Sequence, residues 1–162
     1  MGLIGRGYTC VYGPTAATVA IDIFEFTPAD DKPLTIVGFT IGQTTEIGDA
    51  QEEELEIKIM RGGTGMTSGS GGVAAANGVG VDASSATSGF TYEAGNTTLA
   101  TFTSGVTLLE DSMNVRTGWQ WWPPPEVWFS VSQANGGLVL RMNSTPADSI
   151  TFAATAYVLE EG

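Results

Sequence analysis

The chain has 162 residues, 42% hydrophobic and 15% charged, with 18 acidic residues against 6 basic and a formal net charge of −12. Such a length and balance describe a globular domain with a sizeable core and exclude a disordered chain. The negative field repels phosphate backbones and anionic lipid, and no apolar run approaches the roughly 18 residues of a membrane span, so neither nucleic acid nor membrane is expected as a partner.

From the N-terminus, MGLIGRGYTC carries one arginine and no apolar h-region, so it does not read as a secretory signal. Residues 1–14 are expected to form an N-terminal arm ahead of the strands of a single domain spanning 1–162. Cys10 is the one cysteine, which excludes an intrachain disulfide and suits folding in a reducing cytoplasm. The sequons at Asn96 and Asn143 are accordingly read as chance matches.

Beyond the arm, the dominant period is two. In TVAIDIFEF, Val19, Ile21 and Ile23 share one face and Asp22, Phe24 and Phe26 the other. Leu34–Ile41 is apolar on both sides, as in a strand buried between two layers. ELEIKIMR sets Leu55, Ile57 and Ile59 against Glu54, Glu56 and Lys58, the pattern of a half-buried antiparallel strand. Asp49–Glu53 supports at most one helical turn. Further strands are predicted at Phe90–Glu93, Leu99–Thr103, Val115–Trp122, Val127–Ser132, Leu138–Met142 and Ser149–Leu159. Gln133–Gly137, QANGG, is a hairpin signal because Asn-Gly tolerates positive φ. No window keeps a helical apolar repeat without Gly or Pro interrupting it. The expected fold is all-β: an antiparallel β-sandwich, jelly-roll-like, of about eight or nine strands.

Residues 62–89 break this pattern, with no aromatic, Leu or Ile and a single charge. A Gly/Ser/Ala segment of that length cannot build its own core, and it is expected to be an extended arm ordered by a neighbouring subunit.

Catalytic chemistry finds little footing. With no histidine, the usual general base, catalytic triads and most zinc sites are missing, and Cys10 has no imidazole partner. RGGTGMTSGSGG lacks the GK[ST] ending of a phosphate loop. Most acidic residues lie in runs, which mark solvated edges rather than a glycosidase pair. The cluster Asp49, Glu52, Glu53, Glu54 offers oxygen ligands for calcium but not the alternating spacing of a dedicated loop, so a solvated acidic rim is preferred. No enzyme activity and no cofactor are expected.

All four tryptophans fall within GWQWWPPPEVWF, Gly118–Phe129, around three prolines. Left exposed they would present about 600–1,000 Å² of apolar surface, more than soluble monomers usually show. Strand parity puts Val115, Trp119 and Trp121 on one face, and later Val127, Phe129 and Val131 on the apolar face. Trp122 and Trp128 then point away from the core. Trp122, Trp128, Pro123, Pro124 and Pro125 are the expected partner interface, together with Met66 in the glycine-rich loop. Flat aromatic faces suit sugar rings, and tryptophan is equally enriched at protein hot spots.

Three stretches, FTIGQTTEIGDAQEEELEIKIMRGGTGMTSGSGG, NVRTGWQWWPPPEVWFSV and NSTPADSITFAATAYVLEEG, resemble a group of small tailed-bacteriophage virion proteins. The shared pattern is IGQ…GDA…E.L.I.I.RG, a Gly/Ser/Thr loop, a GW…P.PE segment and a closing PADS strand, from about Ile21 to the end. The resemblance implies a head decoration or cement protein on the outer capsid surface, made in the bacterial host cytoplasm. Its partners would be itself, as a homotrimer, and the major capsid protein. The alternative is a glycan-binding module of a phage fibre or adhesin.

Overall fold

The computed structural model describes residues 5–44 and 53–162. Its strands are β1 (Arg6–Ala17), β2 (Ile21–Thr27), β3 (Leu34–Gln43), β4 (Glu54–Arg61), β5 (Met66–Thr67), β6 (Val73–Asn77) and β7 (Val79–Gly80). They continue with β8 (Thr91–Asn96), β9 (Thr101–Phe102), β10 (Val106–Asn114), β11 (Trp119–Trp121), β12 (Phe129–Val131), β13 (Leu138–Met142) and β14 (Ile150–Glu160). Two 3₁₀ turns, Pro125–Val127 and Gln133–Asn135, are the helical elements among the described residues. In a front sheet β3, β14, β1 and β7 lie side by side, with β11 and β12 both on the free side of β3. The back sheet runs β10-β4-β13-β2-β8-β6, and β5 pairs with β9 alone. Every pairing is antiparallel. The expected all-β antiparallel sandwich is therefore the fold.

Alternation builds the interior. Along β14 the buried positions Ile150, Phe152, Ala154, Ala156 and Val158 face inward, with half-buried Thr151, Ala153, Thr155, Tyr157 and Leu159 between them. On the back sheet, Leu55, Ile57 and Ile59 of β4 and Leu138, Leu140 and Met142 of β13 meet them across one shared core. At its centre Phe24 stacks between Phe26 and Phe39, at 5.7 and 6.5 Å. Each fully buried side chain of this size is worth about 1.5–3 kcal/mol of burial. Cys10 also points into this core, where burial pushes its thiol up to about 12.

Several expectations need correction. Residues 6–14 of the expected arm are strand: from Arg6 onward the chain is β1, paired with β14 over most of its length. Tyr8, Cys10 and Tyr12 supply its inward face. Periodicity also misses β10, because Met113 is its one fully buried apolar side chain. Asp22 does not share a face with Phe24 and Phe26. A bulge at Ile23 shifts the register, so that Leu140 lies opposite Phe24 while Arg141 lies opposite Asp22. QANGG is not a hairpin within one sheet: β12 pairs with β3 and β13 with β2 and β4, so the segment carries the chain between sheets. Gly136 takes the positive φ, 79°, and Asn135 closes a capping box with Ser132. Residues 45–52, including most of the predicted Asp49–Glu53 turn, lie outside the described residues.

The glycine-rich stretch, expected to be ordered by a neighbouring subunit, makes hydrogen bonds to its own sheet. Cross-strand registry on the outer side of the back sheet aligns Arg141, Asp22 and Asn96 in one row and Val139, Glu25 and Glu93 in the next. Arg141 clasps Asp22 through Nε–Oδ1 at 2.5 Å and Nη2–Oδ2 at 3.0 Å, and also donates to the Ala100 carbonyl at 2.8 Å. The Ala100 amide returns a bond to Asp22 Oδ2 at 2.6 Å. Glu25 accepts from the Gly69 amide at 3.0 and 3.2 Å and from Asn96 Nδ2 at 2.7 Å, and Asn96 Oδ1 accepts from the Gly72 amide. Loop backbone groups that lack a core of their own thus find buried side-chain partners. The loop adds β5, β6 and β7 as well; Asn77 Nδ2 donates to the Ser88 carbonyl, and Ser88 Oγ accepts from the Gly78 amide.

Burial pushes the Glu25 carboxyl above the usual carboxylate range, against the pull of Asn96 and the Gly69 amide, and nearby Asp22 adds to the rise. A pKa raised in the folded state supports folding below the ordinary value of 4.5, and that support is lost as pH climbs through the folded value. Chemical denaturation should therefore show wild type losing stability relative to Glu25→Gln between pH 4.5 and 8. A difference that stays flat with pH would contradict this account. Arg141→Leu leaves Asp22 as an uncompensated buried charge and should cost about 3–5 kcal/mol in the same assay.

Candidate interaction face

The proline-tryptophan segment is one edge strand of the front sheet, interrupted midway. β11 pairs Trp119 with Ile41 and Trp121 with Phe39, and β12 resumes in the same direction with Phe129 opposite Ile36 and Val131 opposite Leu34. Between them Trp122–Trp128 loops out, because prolines 123–125 have no N–H for the ladder. Trp121 and Phe129 stack across the base of the loop at 4.8 Å and 19° between planes, and Trp121 also meets Phe39 at 6.0 Å. Inside the loop Pro125–Val127 makes a 3₁₀ turn, and Trp128 Nε1 donates to the Pro123 carbonyl at 3.1 Å.

This geometry sorts the tryptophans. Trp119 is buried, 7% exposed, and its Nε1 donates to Asp111 Oδ2 at 3.0 Å; that bond, with the Ser112 amide, holds the Asp111 carboxyl below its usual range. Trp121 is partly buried against the core, in accord with parity. Trp122 is 54% exposed. Its six-membered ring sits against Gly38, where any Cβ would clash with it, and it meets Tyr157 at 4.8 Å with 45° between planes. Trp128 is half-buried, folded into the loop-out rather than standing free. Val127 departs from parity: the 3₁₀ turn leaves it exposed while Phe129 and Val131 stay inward.

Of the other predicted interface residues, Pro124 and Pro125 are exposed and Pro123 is half-buried beside Trp122. Met66 does not join them. It pairs with Phe102 in the small β5–β9 sheet and packs over Gly137 at the start of β13, on the back sheet's side. Of the acidic cluster, Asp49 and Glu52 lie outside the described residues. Glu53 accepts from the Ala147 amide and Glu54 from Asn114. Asn96, the first sequon residue, is buried within the back-sheet network.

What parity did not reveal is the surface around Trp122. Registry places Gln120, Thr40, Thr155 and Val11 in one row across the outer side of the front sheet, and Gly38, Tyr157, Thr9 and Val79 in the next. None is charged. The front-sheet strands contain two ionisable charges, Arg6 and Glu160, both at one end; Glu160 is buried and accepts from the Phe90 amide at 2.9 Å. The back-sheet strands contain ten, including the Lys58 ammonium held between Glu56 and Glu110 at 3.0 and 3.1 Å. The signal was present in ITFAATAYV, whose outward positions are Thr, Ala, Thr and Tyr, but it reads only once β14 is known to be a central strand.

The division of the tryptophans is measurable. Trp119→Ala should lower fold stability by about 3–5 kcal/mol. Trp122→Ala, removing a ring already more than half in solvent, should leave the unfolding midpoint of the subunit nearly unchanged. Comparable destabilisation by both substitutions would refute the assignment.

No protein-family model matches this chain, and neither does any curated protein.

Proposed function

We propose that the protein is a structural virion component, a jelly-roll decoration or cement protein that binds the outer surface of a phage head and stabilises it through oligomeric contacts. The observation that carries this reading is Trp122: an indole 54% exposed on the folded subunit, seated against Gly38 and Tyr157. Pre-positioned aromatic anchors of this kind dominate binding energy at protein interfaces. The exposed Pro124 and Pro125 flank it at low entropic cost on binding. A chain at −12 is also better suited to the outside of a head than to its DNA-filled interior. In this reading the protein is made in the host cytoplasm and carried on the capsid, with the major capsid protein and further copies of itself, as a homotrimer, for partners.

A second reading rests on the same ring. An indole tilted 45° against Tyr157, with Gln120 and Thr40 on the same face of the sheet, also offers a pyranose-stacking surface, as in a fibre or adhesin module.

Cosedimentation with heads lacking the protein separates the two. The wild type should bind, and Trp122→Ala should weaken binding by about 30- to 1,000-fold, the equivalent of a 2–4 kcal/mol hot spot. Absence of head binding, with host polysaccharide quenching tryptophan fluorescence in the wild type but not in Trp122→Ala, would establish the glycan reading instead.

A further inference from the structure

We infer that the outer side of the front sheet is a self-association face, packed in the working protein against another copy of this chain; the inference rests on the reading of the protein as an assembling subunit. Three observations carry it. The first is charge. Any two copies of a −12 chain repel, and close approach is possible only where the contact itself carries no like charge. The rows Gln120–Thr40–Thr155–Val11 and Gly38–Tyr157–Thr9–Val79 meet that requirement, whereas the back sheet, with Glu56, Lys58, Glu93 and Glu110 on its outer rows, does not. A cationic partner would call for an acidic face, so the neutrality points to a copy of the chain.

The second observation is apolar exposure. Of the eight large apolar side chains that stand exposed among the described residues, Val11 and Val79 lie on this face and Val81 packs at its margin against Gly7, while Trp122 stands over β3 at its edge, where the copy leaves it free for the head. Thr, Ala and Gly fill the ground between, which allows the close sheet-on-sheet approach of about 10 Å. The third is area. Strands spaced about 4.8 Å apart and rising about 3.3 Å per residue, with only two or three residues in each of β7, β11 and β12, give this face roughly 650 Å². That falls at the lower end of what one partner contributes to a stable interface.

Thr155 stands at the centre, between Thr40 and Val11, and is the position to charge. Light scattering on the purified full chain at about 1–100 µM should give a mass of two or more copies. Thr155→Glu should weaken association by more than about 100-fold, with the strand signature in circular dichroism retained. Val11→Lys, at an already exposed position, gives the same readout should Thr155→Glu fail to fold. A monomeric wild type at about 100 µM overturns the inference, as does an oligomer that both substitutions leave intact. Head binding is scored separately. A monomer that still binds heads refutes this face while leaving the virion reading standing, and an oligomer that ignores heads does the reverse.

Discussion

The buried carboxylates of β2 are the constraint on which most of the architecture turns. Asp22 and Glu25 sit on the outer side of a central back-sheet strand, where ionised groups persist only if paired and hydrogen-bonded. Arg141 from the neighbouring strand answers one of them. Backbone amides of Gly69 and Ala100 and the side chain of Asn96 answer the rest. Those amides belong to loops, so satisfying the carboxylates requires the loops to lie down over the sheet. The glycines permit this close approach: a Cβ at Gly69 would meet the Glu25 carboxylate, and one at Gly72 the backbone of β8. A segment that looks structureless by composition is therefore a roof, and the polar residues beneath it are its anchors.

One consequence is the asymmetry of the two outer surfaces. The back sheet is covered by the protein's own loops along β2 and β8 and is charged along β4 and β10. The front sheet has no comparable roof among the described residues, and its two middle outer rows are neutral, the Glu161 carboxylate reaching only the next row, at Thr35. A chain with 18 acidic residues has ample charge to distribute. That almost none reaches the front sheet is a difference between two sheets of similar size, and the self-association face is built on it.

The looped-out edge strand adds the anchor. Proline removes ladder donors and forces Trp122–Trp128 out of the sheet. The stacked pair Trp121 and Phe129 closes the gap so that the strand resumes in register with β3. Edge strands invite uncontrolled pairing, and an interruption made of proline blunts that tendency at the place where the sheet would otherwise be open. The same interruption delivers Trp122 onto the neutral face over Gly38. Edge protection and aromatic display are thus two results of one local feature.

Much of this was legible in the residues. Period two marked β4 and β13 to the residue, and parity separated Trp119 and Trp121 from Trp122, because side-chain alternation is a local property of the strand. The absence of histidine and the lone cysteine bounded the chemistry in the same direct way. What the sequence could not decide was whatever depends on two segments meeting. β1 passes for an arm because glycines and Gly13-Pro14 dilute its pattern, although Tyr8, Cys10 and Tyr12 alternate cleanly. The bulge at Ile23 turned Asp22 to the opposite side from Phe24, which only the register with β13 fixes. Met66 left the tryptophan cluster because pairing with Phe102 holds it in the small β5–β9 sheet. The glycine-rich loop found its partners in Glu25 and Asn96, distant in sequence and adjacent only after folding. Composition and periodicity determined the fold class and the inward faces; the tertiary structure alone decided which outward faces were roofed and which stayed bare, because that depends on nonlocal hydrogen bonds to buried charge.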